Sequence, residues 1–350
     1  MLMSDAVVAT LAPIALYVLI AFLLALGVVR AAIAYAHRRG MFDQPGQRRS
    51  HKVPTPRGGG IGIIVAVVLT VPLCLLSVQP AWPMHTVIAL IVAVVMIAWI
   101  GWWDDHSSLP ALPRFGVQVL AVAIFCVALL MDGPAWFWLP LLVLAGAWSI
   151  NLHNFMDGID GLLAQQGIFV ACGMAVPAWL AGQPALAGAS ACIAAACLGF
   201  WCFNRSPARI FMGDVGSGSL GLLVFAMVAM VWKASWSLVW ACLILSSAFV
   251  SDATLTLLTR ILRRRRWYTA HREHLYQWIV RRGHTHAVGA AWYFGWNLFV
   301  AAPFAAWAFE QPGMGLIACV LTYSIATAVW LVAKRRFIRR DRYKVRHVHT

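Results

Sequence analysis

Acidic residues are scarce in this chain: 12 Asp and Glu stand against 27 Lys and Arg in 350 residues, and charged residues of every kind make up 11%. So little charge, with 62% hydrophobic residues and a mean hydropathy of +0.78, excludes an ordinary soluble domain. A low-complexity linker and an internal repeat are also lacking. So is any cysteine pattern with metal-ligand spacing: the eight cysteines lie in apolar stretches and read as small hydrophobes, with no disulfide framework and no zinc site. Residues 7–29 are too long for a cleaved signal peptide and have no basic start. One domain over 1–350, ending in a basic tail at 334–350, is the expected organisation.

What the chain does have is long apolar runs. Eleven are long enough to be taken as membrane-crossing helices: 7–31, 61–79, 85–103, 114–131, 136–150, 163–181, 184–203, 219–232, 236–258, 288–308 and 313–333, of which 136–150 and 219–232 are the shortest. The expected fold is therefore all-α and polytopic. With eleven spans the N-terminus lies outside and the C-terminus in the cytoplasm, and every Lys and Arg except Lys233 falls on the inner side. That asymmetry is the positive-inside rule, and it makes the net charge of +15 a topology signal. Nucleic acid as the partner of so basic a chain is set aside, because it would not confine the bases to one face.

The few carboxylates then stand out. Five of the twelve, Asp104, Asp105, Asp157, Asp160 and Asp214, sit in three short segments between spans, all on the inner face. Clustered acids beside a membrane suit a divalent metal held against a phosphorylated substrate. Adjacent Asp104 and Asp105 repel, which suits a metal ligand or general base; the plain alternative is a helix cap with Trp102 and Trp103 as interfacial aromatics. Asn151, Asn154 and Asp157 are three apart and would share a face of a helical turn before Gly158 and Gly161, or else mark one helix end and the next start. Phe211-Met212-Gly213-Asp214 leads into a Gly-rich helix start, a natural phosphate cradle that lacks the P-loop's Gly-Lys-Ser/Thr.

Two basic loops complete the inner face. Residues 37–60 carry Asp43, Pro45, Lys52, Pro54, Pro56 and Gly58-Gly59-Gly60. Residues 259–287 carry the run Arg263 to Arg266, a topology anchor and a surface for anionic lipid, and then His271-Arg272-Glu273-His274-Leu275-Tyr276-Gln277, suited to diphosphate. Asp252 lies about two turns before Arg260, where pairing with a neighbouring base is its simplest use.

In order, spacing and membrane side, these segments resemble the polyprenyl-phosphate N-acetylhexosamine-1-phosphate transferase family. The resemblance rests on Asp43 with Pro45, Lys52 to Gly60, Trp103-Asp104-Asp105, Asn151 to Gly161, Phe211 to Ser217, Asp252 and His271 to Gln277. It implies a magnesium-dependent enzyme, with manganese able to substitute, at the cytoplasmic face of a bacterial inner membrane. A UDP-N-acetyl sugar and undecaprenyl phosphate would give undecaprenyl-diphospho-sugar and UMP; a homodimer is compatible with this. It implies Asp214 and Asn154 as metal ligands, Phe211 stacked on uracil and Asp160 hydrogen-bonding it. Asp104 and Asp105 would lie near the lipid phosphate, Asp157 would join them as a catalytic carboxylate, and Lys52, Arg114, His271, Arg272 and His274 would hold phosphates. Direct attack and a covalent aspartyl-phosphate both stay open. Tyr276-Gln277, where wall or common-antigen branches carry more histidines, resembles the branch that initiates O-antigen or exopolysaccharide repeats.

Three other readings are weighed against it. One is a transferase of the teichoic or common-antigen branch using UDP-N-acetylglucosamine. A secondary transporter would place its charges at mid-membrane on broken helices. A CDP-alcohol phosphotransferase would carry a Gly-x-x-x-Asp-x-x-x-Asp run, which does not follow Asp157-Gly158.

Overall fold

The computed structural model describes residues 2–43, 54–107, 109–265 and 271–347, with side chains from 7 to 337. Lys52, Pro45 and Arg266 lie outside the described residues. The chain is helical almost throughout: α1 (Leu2–Arg39), α2 (Ile61–Ser77), α3 (Met84–His106), α4 (Ala111–Leu130), α5 (Leu139–Phe155), α6 (Leu162–Leu180), α7 (Pro184–Asn204), α8 (Asp214–Ala234), α9 (Val239–Leu245), α10 (Ser247–Leu262), α11 (Leu275–Arg281), α12 (His286–Trp296), α13 (Ala302–Glu310) and α14 (Gly315–His347). One two-residue hairpin pairs Phe42 with Pro56 and Asp43 with Thr55. An all-α polytopic membrane protein is what this architecture is.

Helix occupies each of the eleven predicted stretches, but they are not equivalent. Among the described residues eight helices are long and apolar enough to cross a bilayer, and a ninth span forms if α9 and α10, bent by 68°, are taken together. Ile61–Ser77 is a shorter apolar helix of 17 residues. The 288–308 stretch is broken into α12 and α13 by a π-helical turn at Asn297–Ala301, just ahead of Pro303. Proline removes an amide and crowds the preceding turn, and a π-bulge relieves that crowding. The two stretches with the shortest apolar runs prove longer than hydropathy suggested: Ala135–Phe155 and Asp214–Ala234 each run 21 residues, because the polar ends at Asn151–Asn154 and Asp214–Ser219 are themselves helical. The basic stretch from Lys334 continues α14 to His347.

α8 is the central helix: 89% of its apolar window is enclosed by the rest of the protein. Small residues bring its neighbours close, as expected where lipid supplies no hydrophobic drive for helix pairing. A Cβ added at Gly221 of α8 would lie 2.7 Å from the Ser149 carbonyl oxygen of α5, and one at Gly101 of α3 would lie 2.5 Å from the Asp214 carbonyl carbon. Ser149 Oγ donates to the Gly221 carbonyl at 2.7 Å, fixing the α5–α8 crossing by a hydrogen bond as well as by contact. Among the polar side chains held inside, Asn297 donates to Gln166 Oε1 at 2.7 Å and Gln166 donates to the Leu245 carbonyl at 3.3 Å. Cys74 and Cys192 meet with sulfurs 3.7 Å apart, and all eight cysteines are free thiols.

Candidate active site

The close α3–α8 crossing sets the site. The C-terminal turn of α3 carries Asp104 and Asp105, and the first residue of α8 is Asp214. Asp105 is buried; its Oδ1 accepts from the Asp214 amide at 3.2 Å and its Oδ2 from the Val215 amide at 3.3 Å. The first amides of a helix have no partner within it and carry the positive end of its dipole, so Asp105 caps a helix that is not its own. Arg57 approaches the same carboxylate at 4.0 Å. Of the two roles and the plain alternative drawn for the Asp104-Asp105 pair, the cap is the one that Asp105 visibly performs.

Asp104 is held differently. Its Oδ1 accepts from the Leu109 amide at 2.6 Å and its Oδ2 from Arg114, whose guanidinium also donates to Asp214 Oδ2 at 3.0 Å. Arg114, near the start of α4, thus bridges carboxylates from α3 and α8. One terminal guanidinium nitrogen makes both contacts, so a single positive charge is shared between the two carboxylates.

α5 brings the amide side chains. It runs to Phe155, so Asn151 and Asn154 sit in its last turns rather than in a loop. Asn151 is committed to packing, donating to Gln118 Oε1 at 2.7 Å and to the Ala147 carbonyl at 2.8 Å. Asn154 and Asp157 are half-buried, and neither side chain has a hydrogen-bond partner among the described residues. Burial, then the like charges of Asp214, Asp105 and Asp160, push the Asp157 carboxyl up to about 8. That places Asp157 beside the α3–α8 carboxylates.

Asp160 faces away from that cluster. Its Oδ2 accepts from the Ala208 amide at 3.2 Å, and His286 Nδ1 lies 3.0 Å from its Oδ1 and 3.3 Å from its amide. Burial opposes its charge, but the His286 contact and the Ala208 and Ser206 hydrogen bonds outweigh it and hold the carboxyl below its usual range. Phe211 is half-buried in a strand-like pairing: its amide donates to the Pro56 carbonyl at 2.8 Å and its carbonyl accepts from Gly59 at 2.9 Å. Of the Gly58-Gly59-Gly60 segment, Gly60 is the glycine that lies against backbone: a Cβ there would meet the Gly216 Cα at 2.3 Å, whereas Gly58 is set by its positive φ of +91°.

The 271–277 segment packs over the end of α5. Tyr276 is buried and its hydroxyl donates to the Phe155 carbonyl at 2.9 Å; a Cβ on Gly158 would meet that hydroxyl at 2.1 Å. His274 is buried between Phe155, 6.1 Å away by ring centroids, and Tyr276 at 5.9 Å, with His271 at 4.9 Å. Gln277 Oε1 accepts from the His274 amide at 3.1 Å. Arg272 is half-buried, and its carbonyl accepts from Arg281 at 3.4 Å. Tyr276 is thus a packing residue: Tyr276→Phe should cost about 1 kcal/mol of stability and leave donor-sugar preference unchanged. A changed preference in a donor panel would return it to the sugar contact implied by its branch resemblance.

Burial, then the positive charges of His274 and Arg260, push His271 down to about 4. The unfolded histidine takes its proton near 6.5 and the folded one only near 4, so stability falls as pH drops through that window. His274 is shifted in the same direction, chiefly by burial. His271→Gln should flatten the fall in thermal midpoint between pH 7 and pH 5. An unchanged slope would show that His271 does not titrate in this way.

Asp252, expected to pair with a base, is instead a buried acceptor. It receives the Tyr293 hydroxyl at 2.7 Å, Trp330 Nε1 at 2.9 Å, the Leu275 amide at 2.9 Å and the Thr256 hydroxyl at 3.2 Å. It ties α10, α11, α12 and α14 together, while Arg260 pairs with Glu273.

The site thus gathers Asp104, Asp105, Asp157, Asp214 and Arg114 at one end of the bundle, with Asn154 beside Asp157 in sequence. Asp160 is turned to the 206–208 segment, and His271 and His274 stack over the end of α5. Arg57, His286 and Gly101 are contributors that sequence reasoning gave no role. Among the described residues no group of three or more His, Cys, Asp or Glu is placed to hold a metal ion. The Asp214–Asn154 pair offers one carboxylate and one amide oxygen. That donor set fits magnesium, which keeps several waters and binds through one or two carboxylates plus substrate phosphates. The unpartnered Asn154 and the raised Asp157 carboxyl are what a cation would relieve.

The architecture is that of a polytopic membrane protein with carboxylates and an arginine gathered at one end of its spans. Residues 87–233 match glycosyl transferase family 4. It is similar to the probable undecaprenyl-phosphate N-acetylglucosaminyl 1-phosphate transferase of Bacillus subtilis (strain 168), 28% identical over 71% of this chain and 72% of the relative. It also resembles the decaprenyl-phosphate N-acetylglucosaminephosphotransferase of Mycobacterium leprae, 29% identical over 86% of each chain. A third relative is the phospho-N-acetylmuramoyl-pentapeptide-transferase of Synechococcus sp. (strain RCC307), 33% identical over 55% of this chain and 58% of the relative.

Proposed function

We propose that this protein transfers an N-acetyl-sugar 1-phosphate from a UDP-sugar to a polyprenyl phosphate, releasing UMP. The observation that carries the reading is the Asp104–Arg114–Asp214 bridge with the Asp157 carboxyl close enough to feel the charges of Asp214 and Asp105. An oxygen of the lipid phosphate bonds to the phosphorus that bears the sugar, and the bond from that phosphorus to the UMP oxygen breaks. UMP leaves with the electron pair, so no group on the protein need take a proton from an ionised lipid phosphate.

Both reactants are anions, and their approach is opposed until positive charge offsets it. Magnesium, held by Asp214 and Asn154, would supply that charge. Arg114 keeps the α3 and α8 carboxylates in register, and Asp105 holds the first turn of α8 where Asp214 points to the site. With protein groups alone, burial and the neighbouring carboxylates hold the Asp157 carboxyl above its usual range; a nearby cation favours its ionised form. The positive-inside pattern supports the cytoplasmic face of a bacterial membrane. N-acetylglucosamine is the sugar named for two of the relatives, so its UDP derivative heads the donor panel. Initiation of O-antigen or a related surface polysaccharide is the finer part of the proposal.

The test is UMP release by purified protein with undecaprenyl phosphate, magnesium and a panel of UDP-N-acetyl sugars. Release with one donor, abolished by chelator, supports reaction and metal together. Failure of every donor to bind or react would sink the transferase reading.

A further inference from the structure

The basic loop builds a second anion site away from the aspartates. A cavity of about 510 Å³ lies between α10, residues 263–265, residues 273–281 and α14. Arg263, Arg265, Arg281 and Arg335 are exposed around it, and Lys334 is buried within it. Its carboxylate, Glu273, is already spent, paired with Arg260 and with Arg265 at 3.0 Å. Among the described residues no carboxylate answers Arg263, Arg281 or Arg335. The cavity is also lined by Trp278, whose Nε1 is buried with no hydrogen-bond partner. A surplus of guanidinium charge calls for an anion with several acceptor oxygens.

A second cavity, of about 530 Å³, shares Trp330 with the first. Trp292, Trp296, Val300, Ala326 and Val329 make it apolar. A free phosphate or a nucleotide has no use for that apolar space, whereas a lipid fills both, with its headgroup among the arginines and its chain against the tryptophans. None of the lining residues comes from α3, α4, α8 or the α5–α6 connection, so a phosphate seated here is not presented to the aspartates.

The geometry points to a docking site for an anionic bilayer phospholipid, its phosphodiester held by Arg263, Arg281 and Arg335 and one acyl chain lying along Trp330 into the apolar cavity. This goes beyond the transferase reading and stands without it, since occupancy is a matter of binding. Basic pockets between membrane helices are suited to such headgroups.

The experiment is binding of labelled phosphatidylglycerol to the full chain in neutral detergent, read by native mass spectrometry and by fluorescence. The double variant R263Q/R335Q removes two exposed charges that make no ion pair or side-chain hydrogen bond among the described residues, and should weaken binding by about 30-fold. Phosphatidylcholine and millimolar inorganic phosphate should not displace the lipid. Unchanged affinity in the double variant would overturn the site. Displacement by inorganic phosphate would make it a free-anion site, and displacement by equimolar undecaprenyl phosphate would make it the acceptor's own; either result overturns the proposal.

Discussion

Asp214→Asn should lower UMP release by about 100- to 1,000-fold, the usual cost of removing one preorganised electrostatic contact at a reacting phosphate or carbonyl, while the protein stays folded and inserted. The sequence places this residue in a solvated loop, where loss of charge would be structurally harmless. The structure gives a different reason for the same outcome. Asp214 opens α8, and its amide, not its side chain, takes the Asp105 cap. Its Oδ2 accepts from Arg114, and an asparagine oxygen can accept the same hydrogen bond. The substitution therefore leaves the α3–α8 frame standing and removes a negative charge from the cluster. Magnesium dependence separates two causes: if Asp214 is a ligand, the variant should need far more magnesium to reach half its residual rate. Near-normal turnover at the same magnesium concentration would take Asp214 out of the metal site.

The sequence was informative about which residues cluster and misleading about what they rest on. Scarcity did most of the work: in a chain with 11% charge, a carboxylate at the end of an apolar run is a strong signal. Hydropathy, however, ends a span where polarity begins, and here helices continue through their polar ends. Asn151, Asn154, Asp104 and Asp105 therefore fall outside the spans that hydropathy draws, although they lie in last helical turns. Tertiary partners were out of reach. That Asp105 caps α8, that Asp252 collects donors from Tyr293 and Trp330, and that Asp160 meets His286 are contacts between segments 41 to 126 residues apart. Pattern and spacing report neighbours along a helix face, not those across a bundle. Gly101 illustrates the limit: its position three residues before Asp104 was plain, and its function depends on a helix that begins at residue 214.

Gly101 therefore carries the second large effect. A methyl group there would sit 2.5 Å from both the carbonyl carbon and oxygen of Asp214 and 2.6 Å from the Val215 nitrogen. These are backbone atoms of the most enclosed helix, so they cannot rotate aside as a side-chain end would. Gly101→Ala should force α3 and α8 apart, lengthening the Asp105 contacts to the Asp214 and Val215 amides and loosening the Arg114 bridge. Overpacking of a tight interface costs about 1–3 kcal/mol, and the thermal midpoint in detergent should fall. Turnover should fall at least 100-fold, because reacting groups held on two helices lose their register together. A control lies two residues from Arg114: Gly116 on α4 has nothing within 4 Å of an added Cβ. Gly116→Ala should leave turnover intact and favour its helix by about 0.8–1.0 kcal/mol. If both variants behave alike, the close approach of α3 and α8 is not what builds the site; if only Gly101→Ala fails, the missing methyl group at residue 101 is as much a part of the transferase as the carboxylates it lets converge.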